Sequence, residues 1–148
     1  MNHKTLSAFI GVVALLAVAV LGSGCLNQNQ VDIEQVRTYA DPITENILVA
    51  MNEDDYANYS EHFDATMKNA LPEPVFRENN ALIQSKIGAY VSKEYWKVES
   101  KNQYTIVYYK ATFTQEPDDV IVKVVFQEIA GETKVSGLWL DSPKLREK

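Results

Sequence analysis

The spacing of apolar residues changes at Gly88, and this change constrains the fold more than any other feature of the sequence. Before Gly88, apolar residues recur at steps of three or four, as they do along one face of an α-helix. After Gly88 they alternate with polar residues, as in a strand with one buried face. Helices followed by consecutive strands predict an α+β domain, with the helices packed on one face of an antiparallel sheet.

The helical part divides into three predicted helices. The first has its apolar face at Val36, Ala40, Ile43, Ile47 and Met51. Pro42 either kinks this helix or restarts it, with Asp41 as the cap. The second helix follows a cap within residues 52–55, and its face is Tyr56, Tyr59, Phe63, Met67 and Leu71. The third has Phe76, Ile83 and Ile87 on one face, and Gly88 is its predicted C-terminal stop.

The second half predicts four antiparallel strands, beginning near Tyr95. Three polar or glycine-containing segments separate the strands, at residues 100–103, 115–118 and 130–131. The two central strands alternate, and their predicted inward residues are Val107, Tyr109, Ala111, Phe113, Val120, Val122, Val124 and Phe126.

The N-terminus is typical of an export signal. Lys4 precedes an almost wholly apolar run over residues 6–21, and small residues lead to the single cysteine, Cys25. This pattern resembles a lipobox, in which the cysteine is acylated and becomes the first residue of the mature chain, although Leu21 lies one position further back than usual. The alternative is an uncleaved anchor helix with an incidental cysteine. Both interpretations predict an extracytoplasmic domain held at the cell membrane.

The predicted organisation is a signal peptide over residues 1–24, a polar tether over 25–32, the domain over 33–142 and a tail over 143–148. Residues 26–30 reach at most about 18 Å when extended, so the domain is expected close to the lipid. The mature chain has a net charge of −7, which disfavours nucleic acid as a partner. One cysteine excludes an internal disulfide and a cysteine-based zinc cluster.

Several segments resemble a known family, and they are residues 51–56 (Met-Asn-Glu-Asp-Asp-Tyr), 63–68, 86–90, 104–113, 120–126 and 135–139. Over residues 33–142 the chain resembles the domain of unknown function 3887, within the nuclear-transport-factor-2-like (cystatin-like) superfamily. The resemblance implies three N-terminal helices packed on a curved four-stranded antiparallel sheet, with a cone-shaped cavity between them. It implies no catalytic residue and no cofactor.

The candidate cavity residues are one amide and five aromatic side chains: Asn80, Trp96, Tyr109, Phe113, Phe126 and Trp139. Asn80 falls on the apolar side of the third helix, where it lines a cavity, caps a neighbouring loop or faces solvent. The aromatic residues either line a pocket on the concave face of the sheet or fill the core.

Other polar features favour ordinary structural roles. His62 lies beside the second apolar stripe, at its boundary, and a catalytic role for it is the less favoured interpretation. Residues 53–55 lack the spacing of a calcium loop and suit a helix cap, so no metal site is predicted. Asn58 begins a glycosylation sequon, which matters only in a host that modifies such sites.

These observations predict a lipid-anchored extracytoplasmic protein without catalytic activity, attached to membrane lipid through Cys25. The leading hypothesis is a binding module for a small apolar or amphipathic ligand or for an envelope protein. The second is a homodimer formed through the outer sheet face, where Ile106, Tyr108, Ile121 and Val125 form an apolar patch. The third is an enzyme that uses a buried carboxylate.

Overall fold

The computed structural model describes residues 30–148, and it shows a helical layer on an antiparallel sheet. The elements in chain order are α1 Ile33–Glu53, α2 Tyr56–Tyr59, α3 Ala65–Ala70, α4 Glu73–Ile87, β1 Tyr90–Lys101, β2 Tyr104–Phe113, β3 Glu116–Ile129, β4 Glu132–Asp141 and α5 Pro143–Arg146. The four strands are antiparallel in the order β1-β2-β3-β4. The predicted α+β fold is therefore confirmed. The signal peptide, Cys25 and the tether as far as residue 29 lie outside the described residues.

Helix α1 continues through Pro42 as a single helix, so the prediction that the helix restarts at Asp41 and Pro42 is wrong. Asp32 caps its first turn by accepting a hydrogen bond from the Gln35 N–H at 3.1 Å. Pro42 has no N–H, so the carbonyl four residues before it has no helical donor. Because Pro42 lies on the exposed side of α1, this carbonyl can bind water instead. Within the part of the chain that the structure describes, no helix is long and apolar enough to cross a membrane.

The predicted second helix is two short helices, α2 and α3, with residues 60–64 between them. Phe63 forms a parallel bridge with Val135, where the Val135 N–H donates to the His62 carbonyl at 2.7 Å. Asp64 then caps α3 by accepting from the Met67 N–H at 2.7 Å. The prediction of one helix was wrong because Tyr59, Phe63 and Met67 all face the same core, which preserves the apolar spacing across the break.

Helix α4 ends at Gly88, as predicted. Gly88 has φ +77° and donates its N–H to the Gln84 carbonyl at 2.9 Å. A Cβ at this position would overlap Thr114 Oγ1. The helix therefore stops where β1 begins beside the end of β2.

The sheet packs its inner face on the helices, with the predicted residues of β2 and β3 buried there. The turn at residues 102–103 falls within the predicted segment 100–103, and the turn at residues 130–131 is the predicted one. The turn between β2 and β3 is at Thr114–Gln115, and residues 116–118, expected in the turn, belong to β3. Register shifts interrupt each strand pairing, and such bulges bend and twist a sheet around its helices.

The last six residues, expected as a tail, include helix α5, which packs on α4 and β4. Ser142 caps it by accepting from the Leu145 N–H at 3.3 Å. The buried carboxylate of Glu116 accepts the Lys144 N–H at 3.1 Å. These hydrogen bonds hold α5 against the end of the sheet at which β4 ends and β3 begins.

Candidate ligand-binding groove

An apolar groove of about 320 Å³ lies between α4 and β4 and is bordered by α5. We call it the leucine groove, and its residues are Met51, Tyr59, Leu71, Asn79, Leu82, Ile83, Lys86, Leu138, Leu140 and Leu145. Its volume is near the lower end of the range typical of small-ligand pockets, which is about 300–1,000 Å³.

Two periodicities build the walls of the groove. Asn79, Leu82, Ile83 and Lys86 follow the i, i+3, i+4, i+7 spacing of a single helix face on α4. On the opposite wall, Leu138 and Leu140 are two residues apart on β4 and therefore point to the same side of the sheet. Leu145 of α5 packs partly buried against the core beside them.

The polar groups of the groove are few. Lys86 is the one charged residue in its lining as far as the structure describes the chain, and the Lys86 Nζ donates to the backbone carbonyl of Glu147. Tyr59 is almost fully buried; burial, and then the neighbouring Tyr56, raise the pKa of its hydroxyl to about 12. The Tyr59 hydroxyl is therefore protonated at neutral pH and can donate a hydrogen bond.

Asn80 is buried but does not line the groove. Its Nδ2 donates to the Met51 carbonyl at 2.8 Å and to Asp54 Oδ1 at 3.2 Å, and the Gln84 amide also reaches Met51. Asn80 thus caps the C-terminal end of α1, which corresponds to the capping alternative.

Three of the five candidate aromatic residues are buried on the inner face, where they fill the core: Tyr109, Phe113 and Phe126. The expectation that Trp96 and Trp139 lie on the concave face is wrong. Trp96 is 46% exposed and Trp139 is 54% exposed. Both lie on the outer face, which is the side of the sheet away from the helices: Trp96 stacks edge-on against Tyr108, and Trp139 pairs with Lys123 across the strands.

A second cleft, of about 270 Å³, lies at the opposite end of the molecule. It is formed where the start of α1 meets the β1–β2 and β3–β4 turns, and Phe126 borders it. Its walls are more polar than those of the leucine groove, with Asp32 and Glu128 among its residues. It therefore suits water or polar groups better than an apolar ligand.

Tyrosine and carboxylate side chains also meet between α1 and the sheet. The Tyr109 hydroxyl donates to Asp41 Oδ1 at 2.8 Å, and the Tyr90 hydroxyl donates to Glu45 Oε2 at 2.7 Å. Burial, and then these bonds, raise the pKa of both tyrosines. Arg37 binds Asp41 at 3.0 Å, so this carboxylate already has two partners.

The remaining candidates occupy boundary or capping positions. His62 is half-buried, with its Nε2 3.7 Å from Glu61. Asn58 is exposed, and its amide donates to Asp55 at 2.6 Å. Asp55 caps α2, and Asp54 ends α1 with φ +54°. Among residues 30–148, no three potential metal ligands converge.

Most groove residues were not predicted to form a site. Leu138 and Leu140 fall in the last predicted strand and Leu145 in the predicted tail. Leu82 and Lys86 lie in the third predicted helix, where neither was given a role. The available signal was the spacing on α4, which places Leu82 and Lys86 on one face. Leu82 is nevertheless 57% exposed, because that face borders an open groove.

The helical layer and the four-stranded antiparallel sheet define a small α+β domain with an apolar groove between α4 and β4. The family described as "Protein of unknown function (DUF3887)" matches residues 44–138, and the chain belongs to this family. Among solved structures, it is similar to a designed nuclear-transport-factor-2-like protein named Rd1NTF2_05, in a multiply substituted variant. That match has 14% sequence identity and a TM-score of 0.49, and covers 72% of this chain and 99% of the other. No curated protein matches the sequence.

Proposed function

We propose that this domain binds a small apolar or amphipathic ligand in the leucine groove and acts without catalysis. The observation that supports this most directly is the lining of the groove, which is mainly aliphatic and remains open beside a well-packed core. Transfer of apolar ligand surface from water is the driving force for such binding. A few polar groups at the rim would orient the ligand.

The test is calorimetric titration with 1-octanol, a neutral aliphatic probe, on the mature chain with Cys25→Ser. Leu82→Glu should weaken binding at least tenfold, because it places a charge in the apolar wall. Val91→Glu is the matched control, since Val91 is also 57% exposed but lies on β1 away from the groove. Absence of binding to the unsubstituted chain, or equal effects of the two variants, would contradict the proposal.

We further propose that the protein is a lipoprotein, anchored at the extracytoplasmic side of the cell membrane through acylated Cys25. The support is the charged, apolar and small-residue order of residues 1–25. Stable attachment needs two acyl chains, because one binds only marginally. In cells grown with labelled palmitate, the protein should become labelled and stay in the membrane fraction. Cys25→Ser should remove both the label and the attachment to the membrane. A labelled Cys25→Ser protein would contradict the assignment.

The tether and the groove lie at opposite ends of α1. This helix begins at Ile33, just after the tether, and ends beside the groove residue Met51. At 1.5 Å per residue these positions are about 27 Å apart along the helix axis. In the proposed arrangement, the ligand reaches the groove from the side away from the tether.

Self-association is a second candidate, favoured by the exposure of the outer face. Trp96 and Trp139 add large apolar area to the predicted patch of Ile106, Tyr108, Ile121 and Val125. Sedimentation of the mature chain should give a dimer that Trp139→Glu dissociates. A monomer at high micromolar concentration would contradict this candidate.

A further inference from the structure

We propose that the leucine groove selects aliphatic ligands that carry an anionic headgroup, such as a short carboxylic acid, with Lys86 binding the headgroup. This inference rests on the proposed small-ligand function and specifies its ligand class. It follows from three properties of the groove, which are its charge, its hydrogen-bond donors and its shape.

The charge of the groove is opposite to that of the protein. The chain has a net charge of −6, yet no acidic residue within 30–148 lines the groove, and Lys86 is the one charged residue of that range in its lining. Among residues 30–148, the ion pairs closer than 4.0 Å do not include Lys86. An ammonium group beside apolar walls, without a carboxylate partner, favours an anion over a neutral or cationic headgroup.

The donors of the groove suit a carboxylate. The Lys86 ammonium has three N–H groups, and its one bond to a described residue is to the Glu147 carbonyl, so a headgroup can bind without breaking that bond. Tyr59 supplies a protonated hydroxyl, and the exposed amide of Asn79 lies seven residues, about two helical turns, before Lys86 on the same face of α4. Within residues 30–148, no side chain that lines the groove is acceptor-only, so none of them repels an anion.

The shape of the groove limits the apolar part of the ligand. Its walls are the branched aliphatic side chains of Leu82, Ile83, Leu138, Leu140 and Leu145, rather than flat aromatic rings. A volume of about 320 Å³ fits one short chain and is too small for a ligand with several long chains. A single aliphatic chain with one terminal acid group matches both the walls and Lys86.

The experiment compares three eight-carbon probes, octanoate, 1-octanol and octylammonium, by calorimetric titration at pH 7 on the mature chain with Cys25→Ser. We expect octanoate to bind roughly tenfold more tightly than 1-octanol, as one charge-assisted hydrogen bond would give, and octylammonium to bind least. Lys86→Gln should remove the preference for octanoate but retain binding of 1-octanol. Lys144→Gln is the matched control, because Lys144 lies on α5 and its Nζ donates to Gln115 outside the groove.

The outcomes separate this inference from the proposed function. If octanoate and 1-octanol bind equally well, or if Lys144→Gln reduces the preference as much as Lys86→Gln does, the anionic selectivity is overturned while the groove function stands. If none of the three probes binds, the proposed function fails first. If octanoate alone binds and Leu82→Glu leaves its affinity unchanged, Lys86 acts outside the groove and the inference is also overturned.

Discussion

Gly88 and Gly131 both have positive φ angles, near +77° and +79°, but their surroundings differ. A Cβ at Gly88 would overlap Thr114, whereas a Cβ at Gly131 would meet nothing within 4 Å. We expect Gly88→Ala to lower the free energy of unfolding by about 2–3 kcal/mol, since backbone strain and a steric clash add together. Gly131→Ala should cost about 1 kcal/mol from backbone strain alone. Urea unfolding measures both, and equal losses would contradict the role of Thr114.

Asp64 is a buried carboxylate whose partners stabilise its charged form. Burial alone would raise its pKa, but donors including the Met67 N–H, Ser136 and Gln127 outweigh this and lower it below the ordinary value of 3.8. A lowered folded pKa stabilises the protein above the unfolded pKa, and this contribution is lost as pH falls through the folded value.

Asp64→Asn should therefore lower the free energy of unfolding by about 1–2 kcal/mol at pH 7. The difference from the unsubstituted protein should shrink below pH 4, because the carboxyl group becomes neutral there. Urea unfolding at a series of pH values checks this. The partly exposed cap Asp55→Asn is the control and should cost less, since asparagine also caps helices well. A loss that is independent of pH would contradict the assignment.

The two tryptophans show what alternation can and cannot predict. Trp139 stands between Leu138 and Leu140, which point inward. Strict alternation therefore predicts that Trp139 lies on the outer face of the sheet, as the structure shows. Trp96 lies at the register shift between Tyr95 and Lys97. A bulge adds one residue to the strand, and no apolar pattern marks its position.

Pro42 and Pro74 occupy different parts of their helices, which makes them a matched pair. Pro42 lies inside α1, where it removes one backbone hydrogen bond, whereas Pro74 lies in the first turn of α4, where the N–H has no helical partner. We expect Pro42→Ala to raise the free energy of unfolding by about 1–3 kcal/mol. Pro74→Ala should change it by less than about 0.5 kcal/mol. Thermal or urea unfolding checks both, and an unchanged or less stable Pro42→Ala would contradict this account.

The helical elements were predictable in type but not in every boundary. The stop at Gly88 followed from the change of spacing. The break between α2 and α3 did not, because it depends on backbone bonds from residues 62–64 to Val135, which is about 70 residues later. Helix α5 was missed because a four-residue helix has almost no periodicity, and its position depends on Glu116 from a distant strand.

At the scale of the molecule, the fold was predictable while the site was not. Alternation and helical spacing each concern neighbouring residues, and together they predict the helical layer and the four strands of the sheet. The leucine groove instead joins residues 79–86 with residues 138–145, which local patterns cannot relate. The proposed charge preference depends on Lys86, whose Nζ also donates to the carbonyl of Glu147, 61 positions later in the chain.

Charge is divided unevenly between the two layers. Residues 30–88 contain eleven acidic and four basic side chains, whereas residues 89–148 contain nine of each. The helical layer therefore has a net charge of −7 and the sheet layer is neutral. An anionic bilayer repels the helices, so a tethered domain should turn the outer face of its sheet toward the lipid.

Trp96 and Trp139 are the two tryptophans of the chain and both lie on that outer face, so they report this orientation directly. A chain that begins at Cys25 can be coupled through its single cysteine to a maleimide lipid in vesicles that contain brominated phospholipid. Tryptophan quenching should rise with the fraction of anionic lipid and fall again at high salt, because charge repulsion is screened. Lys123→Glu, which reverses a charge beside Trp139, should weaken the effect. Quenching that does not depend on lipid charge would mean that the short tether, rather than the charge of the layers, sets the orientation.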